Sequence, residues 1–216
     1  MERLSTMNKA LMNKTSLSPQ DQEILLDLAR SAISLRVMGK KAQLKRQTYP
    51  HQLQTPGASF VTLHIHNDLR GCIGSLQATR PLAEDVWENA QASALQDPRF
   101  PPLSVAELDD LNISISILTP PEKFEVENEK DLLKKVRPGV DGLIITSGFH
   151  KATFLPAVWE TLPDPEQFLF HLKQKAGILT TEWPEDMQVE RYQSICFAEG
   201  KLVWLNNLFL YCWVWW

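Results

Sequence analysis

Apolar positions recur along the chain in two periods. Ser18-Pro19-Gln20-Asp21 has the chemistry of a helix start, a capping hydroxyl followed by proline and an early acid. Leu25, Leu28, Ala29, Ala32 and Leu35 then follow at helical spacing, which predicts a helix to about Val37, ended by Gly39. A polar loop is expected to Gly57. Residues 60–66 (FVTLHIH) alternate as a strand, Asn67-Asp68 is turn chemistry, and residues 69–75 (LRGCIGS) return as the partner of a hairpin. A second helix starts at Pro81, buries Leu82, Val86, Ala90 and Ala94, and stops at Asp97-Pro98. Ser104 to Glu107 spells a capping box.

Residues 112–118 (NISISIL) alternate cleanly, with Ile113, Ile115 and Ile117 inward. A third helix is expected from Asp131 to Val136, and a second hairpin from two short strands flanking Ser147-Gly148. A fourth helix runs from Pro165 to Ala176, with Gly177 as its C-cap, and residues 188–197 read as a last strand. Hairpins with scattered helices, lacking a regular βαβ rhythm, predict an α+β fold.

Composition narrows the function classes. In 216 residues, 44% hydrophobic and 22% charged, there is room for a full core without disulfides. The three cysteines, Cys72, Cys196 and Cys212, form no CxxC pair, so no zinc site is expected, and a reducing cytoplasm suits them. No cofactor or metal is expected, because HExxH, GxGxxG and GxxxxGK[ST] runs are all missing. The net charge of -4 disfavours a nucleic-acid partner. One basic run, Arg36, Lys40, Lys41, Lys45 and Arg46, reads as a solvated helix end or as a contact for an anion.

The most unusual local text is LRGCIGS. Glycine inside a strand marks a bulge or a close approach. Arg70 and Cys72, two apart, share a face in a regular strand, and an arginine beside a thiol favours the nucleophilic thiolate. The alternative is a buried structural cysteine with Arg70 paired to a carboxylate. If Asn67-Asp68 is a two-residue loop, His64 pairs with Gly71 and Leu63 with Cys72. Val61, Leu63, Arg70 and Cys72 then share one face and His64 and His66 the other, unless a bulge intervenes. His150 and His171 read as exposed polar residues. A second dense patch is DPRFPPL, residues 97–103, where Asp97 and Arg99 can pair with each other or Arg99 can join Arg70 as an anion clamp.

RGCIGS, PLAEDVWENAQASALQDPRFPPL from Pro81, ISISIL, GVDGLIITSGFHKATFLPAVWE from Gly139 and FLFHLKQKAG from Phe168 together closely resemble the AMMECR-domain family over about residues 17–200. Its bacterial members belong to the AmmeMemoRadiSam system. The resemblance implies an α+β fold with a mixed sheet and flanking helices, in which a larger and a smaller subdomain enclose a cleft near the RGCIG hairpin. The family signature falls on Leu69, Arg70, Gly71, Cys72, Ile73 and Gly74, with Asp97, Pro98, Arg99 and Phe100 as a second block, and the family supplies no settled reaction. On the chemistry of the residues above, Cys72 and Arg70 are the candidate catalytic residues, with Gly71, Gly74, Ser75, Asp97 and Arg99 expected to contact an anionic or carbonyl-bearing small molecule. Memo-like and radical-SAM proteins are the implied partners. A small cytosolic enzyme or enzyme subunit and a non-catalytic binding, scaffold or regulatory module are both compatible with it.

Residues 1–16 precede the resemblance, carry no apolar signal region, and contain Met7 and Met12 as alternative starts. Residues 201–216 (KLVWLNNLFLYCWVWW) have no counterpart in it. That segment is too short for a membrane span, which needs about 20 apolar residues. An extra strand or short helix on the core, a membrane-interface segment and a foreign tail are the readings open to it, and the foreign tail is the one preferred. Truncation after Gly200 is therefore expected to leave the melting temperature and solubility unchanged or improved. A melting point several degrees lower would make the tail part of the core.

Overall fold

The computed structural model describes residues 17–200 apart from 42, 43, 45–47 and 181. The expectations for Lys45, Arg46, residues 1–16 and the aromatic tail fall outside the described residues. In chain order the elements are α1 (Pro19–Val37), α2 (His51–Gln54), β1 (Pro56–Ile65), β2 (Asp68–Gly74), β3 (Arg80–Pro81) and α3 (Leu82–Leu95). A 3-10 turn over Val105–Glu107 precedes β4 (Leu111–Leu118) and β5 (Glu122–Lys123). Then come α4 (Glu129–Lys135), β6 (Gly142–Ser147), β7 (His150–Phe154), a 3-10 turn over Pro156–Glu160, α5 (Pro165–Ala176), β8 (Gln188–Tyr192) and β9 (Ser194–Ala198). The α+β class is the one expected. The strands lie in two sheets instead of one mixed sheet, ordered β2-β1-β4-β9 with β3 beside β1, and β5-β8-β6-β7. The pairings β1–β2, β1–β3, β5–β8, β6–β7 and β6–β8 are all antiparallel.

Among the described residues the chain divides into two compact units, one of residues 17–117 with 196–200, the other of residues 118–195. In the first, α1 begins at a reciprocal capping box between Ser18 and Asp21. It buries Leu25, Leu28, Ala29, Ala32 and Ile33 in the same cluster as Val86 and Ala90 of α3 and the sheet residues Val61, Leu63, Ile113, Ile115 and Ile117. The ISISIL alternation thus does what the sequence predicts, one row inward and the serines opposite.

Helix α3 lies very close to the first hairpin. A Cβ on Gly71 would collide with the backbone carbonyl oxygen of Ser93, and one on Gly74 with the Phe60 ring. The Ser93 hydroxyl reaches between the strands, accepting from Ile73 N at 2.9 Å and donating to Val61 O at 2.7 Å. The fully buried Asp85 near the start of α3 accepts from Ser59 N and Ser59 Oγ, Ser75 Oγ, Arg80 Nε and Asn89 Nδ2 at 2.7–2.9 Å.

In the second unit Trp159 stacks on Phe168 at 3.7 Å, beside Leu132, Leu143, Ile145, Leu172 and Val189. Asp164 caps α5, and Gly177, in the left-handed region at φ 75°, ends it as expected.

Two expectations need correction. The supposed loop before Gly57 contains α2, and β1 starts at Pro56. The single last strand is two, β8 and β9, which join different sheets. The break falls at Gln193, whose N–H donates to Thr119 Oγ1 at 2.8 Å and whose carbonyl accepts from Thr119 N at 2.9 Å.

The contact between α3 and the hairpin makes Gly71 irreplaceable. Gly71→Ala forces backbone apart from backbone, and we expect overpacking of about 2–3 kcal/mol. Calorimetry should show a melting point lowered by about 5–10 °C; a change within 1–2 °C would mean that the helix can back away freely.

Candidate functional site

The hairpin turns one residue earlier than its sequence predicts. His66 and Asn67 both have positive φ, 52° and 71°, the signature of a type I′ turn. Ile65 therefore pairs with Asp68 and His64 with Leu69. Moving a turn by one residue changes the register by two and leaves every face as it was. The faces change because of a second event, a bulge between Leu63 and His64 that leaves Arg70 unpaired, so that Gly71 pairs with Leu63 and Cys72 with Thr62. Cys72 therefore shares the face of Thr62 and His64, not that of Val61 and Leu63. The expected placement of the histidines is corrected for His64, while His66 is exposed in the turn.

Cys72 is 4% exposed, and its Sγ lies 3.3 Å from Thr62 Oγ1. Its backbone is held from both ends by the second motif. Cys72 N donates to Asp97 Oδ2 at 2.8 Å, and Cys72 O accepts from Arg99 at 3.3 Å. Asp97 and Arg99 form a two-pronged pair, Nε to Oδ1 at 2.9 Å and Nη2 to Oδ2 at 2.7 Å. Burial works to raise the Asp97 carboxyl, but Arg99 and the amide of Cys72 outweigh it and hold it below the ordinary range.

Arg70 takes Glu107 of the 3-10 turn, with Nε 2.7 Å and Nη2 3.4 Å from the carboxylate oxygens. The Arg70 hydrogen bond and the Ser104 amide pull Glu107 down to about 2, so the ion pair is intact at any physiological pH. Both guanidinium carbons lie near one ring, at 6.0 Å for Arg70 and 5.5 Å for Arg99 from the centroid of Phe100. The two arginine heads are thus brought together by an aromatic residue.

The remaining candidates are engaged inside the fold. Gly71 and Gly74 admit close packing, and Ser75 Oγ donates to Asp85. His150 Nδ1 meets Ala176 O, and His171 Nδ1 meets Gln174. Sequence reasoning missed Glu107 and Phe100 as neighbours of Arg70. The capping box did mark Glu107 as acidic and ordered, yet nothing local tied it to a residue 37 positions away. Among the described residues, no group of three or more His, Cys, Asp or Glu could hold a metal ion.

The AMMECR1 family model matches residues 26–197. This chain belongs to the AMMECR1 family. AMMECR1 relatives include the protein MJ0810 of Methanocaldococcus jannaschii, 38% identical over 179 residues that cover 79% of this chain and 86% of the relative. A protein of Methanothermobacter thermautotrophicus is 37% identical over 87% of this chain and 99% of its own length. The crystal structure of the uncharacterized protein PH0010 from Pyrococcus horikoshii is similar, with a TM-score of 0.72 and 36% identity, covering 83% of this chain and 91% of that one.

His64 sets a pH dependence on this AMMECR1 fold. It is 5% exposed, and burial pushes its imidazole below the ordinary 6.5 while Asp68 pulls more weakly upward. The unfolded chain therefore takes up the proton first as pH falls. The contribution is full above about 6.5 and is lost as pH falls below that value toward the folded one. We expect the melting temperature to drop between pH 7 and 5, and to drop less in His64→Leu; parallel curves would show that His64 is not the group responsible.

Proposed function

We propose that this protein is a non-catalytic binding module whose ligand-facing surface is the Arg70–Phe100–Arg99 array beside the RGCIG hairpin. The ligand class is anionic or carbonyl-bearing. One observation carries the reading: the Cys72 thiol is buried against Thr62 while its backbone is clamped by Asp97 and Arg99. A nucleophile needs access and an activating charge. Here Cys72 is 4% exposed, so access is what its thiol lacks, and the Arg70 head is directed to Glu107. Arg70 uses Nε and Nη2 on Glu107, leaving Nη1 without a partner among the described residues. That nitrogen suits a carbonyl or carboxylate oxygen, and Phe100 supplies an apolar edge. The array would serve Memo-like and radical-SAM proteins in the cytoplasm, in keeping with Cys72 and Cys196, which form no disulfide among the described residues. No helix among the described residues is long and apolar enough to cross a membrane.

A small enzyme dependent on Cys72 is the second reading, and it has one observation in its favour, the bulge that sets His64 on the face of Cys72.

Alkylation by iodoacetamide separates the two. We expect Cys72 to react at least about 100-fold more slowly than the exposed Cys196 in the folded protein. A rapidly alkylated Cys72, with a rate that rises through an apparent pKa below 8, would favour the enzyme. For the ligand, succinate is a first probe. A succinate-induced rise in melting temperature that disappears in Arg70→Gln supports the array, and an equal rise in both proteins removes it.

A further inference from the structure

The sheet of the first unit has a second face. Its helix-covered side carries Val61, Leu63, Ile113, Ile115 and Ile117. Period-two alternation puts Phe60, Thr62 and His64 of β1 and Ser114 and Ser116 of β4 on the opposite side. Cys72 joins them through its contact with Thr62, and Cys196 of β9 through a 3.2 Å contact with Ser116 Oγ. Burial is graded across this face. Phe60, Thr62, His64 and Cys72 are buried, Ser114 and Ser116 are half-buried, and Cys196 is exposed. The polar row therefore starts deep at β1 and β2 and reaches solvent at β9.

One atom on this face is anomalous. His64 Nδ1 is buried and has no hydrogen-bond partner among the described residues. Buried polar atoms in folded proteins are almost always satisfied, by protein, water or ligand. The other side chains placed on this face are hydroxyls, thiols and a phenyl ring, with no carboxylate, ammonium or guanidinium among them; the charge that acts on His64 is the Asp68 carboxylate at the start of β2.

We propose that this polar face is a binding site for a small uncharged ligand, one whose hydroxyl or primary amide pairs with His64 Nδ1 while its body lies along Ser114 and Ser116 toward Cys196. Hydroxyls and primary amides both donate and accept, so either satisfies Nδ1 whichever imidazole tautomer is present. Phe60 provides an apolar wall, as small-molecule sites require beside a few fixed polar groups. The ligand contacts His64, Ser114 and Ser116, none of which belongs to the Arg70–Phe100–Arg99 array, and it has a different chemistry, so the two readings stand or fall independently.

The test is a titration of the full chain, labelled with 15N-histidine, with acetamide and with glycerol, followed by imidazole nitrogen shifts. The expected result is a saturable shift of His64 Nδ1 with at least one probe, while His150 and His171 stay in place. The Ser114→Ala/Ser116→Ala variant should weaken that probe at least fivefold with its melting temperature little changed. Three outcomes overturn the proposal: no saturable shift with either probe, equal shifts at all three histidines, or a water on Nδ1 that neither probe displaces. Succinate acts on the arginine array alone, so a failure at His64 is distinguishable from a failure there.

Discussion

The close seating of α3 on the β1–β2 hairpin is the constraint on which the first unit rests. Two buried carboxylates hold it, one near each end of the helix. Asp85 gathers Ser59, Ser75, Arg80 and Asn89 at the beginning, and Asp97 takes the Cys72 amide and Arg99 just past the end. Between them the helix approaches until only glycine fits at position 71 and a serine hydroxyl bridges the two strands. Buried carboxylates are tolerable because each is surrounded by donors and has an arginine partner; removing one partner of such a pair typically costs about 3–5 kcal/mol. The RGCIG and DPRF motifs are thus two halves of one clamp, and their unusual chemistry is explained first by packing.

Much of this was legible in the sequence, for physical reasons that differ by element. Helix α1 is announced by Ser18, Pro19 and Asp21, because capping is local chemistry. β4 is announced by alternation, because one of its faces is buried. The glycines of the hairpin signalled a close approach, which α3 supplies. The division of residues 188–197 into two strands was not legible, since the alternation runs on and the break depends on Thr119, far away in sequence. The face of Cys72 was not legible either. A single unpaired Arg70 reverses it, and a bulge of that kind depends on how neighbouring elements pull on the edge strand.

The candidate site shows the same limit. Arg70, Cys72, Asp97 and Arg99 could be singled out from local text, and the structure brings all four together. Their roles could not be read, because those depend on what each finds across the fold. Arg70 finds Glu107, Cys72 finds Thr62, and the two guanidinium groups find one Phe100 ring. Side chains that look free and reactive in a motif are here largely engaged with one another, and His64 Nδ1 is, among the described residues, the buried side-chain atom left with an unmet hydrogen bond.

The split between β8 and β9 bears on how the chain can be made. β9 belongs to the first sheet yet follows almost the whole second unit. Its neighbour Glu199 takes the Arg30 guanidinium of α1 and the Ile113 amide of β4. During synthesis the outer edge of β4 stays unpaired until some 75 further residues have been added, about 4–15 s at ordinary translation rates. An open edge of alternating isoleucines is a template for pairing with another chain. The nascent protein therefore passes through an interval in which its first sheet is adhesive and α1 lacks its acidic partner, and a ribosome stalled within the second unit would release a fragment prone to aggregate.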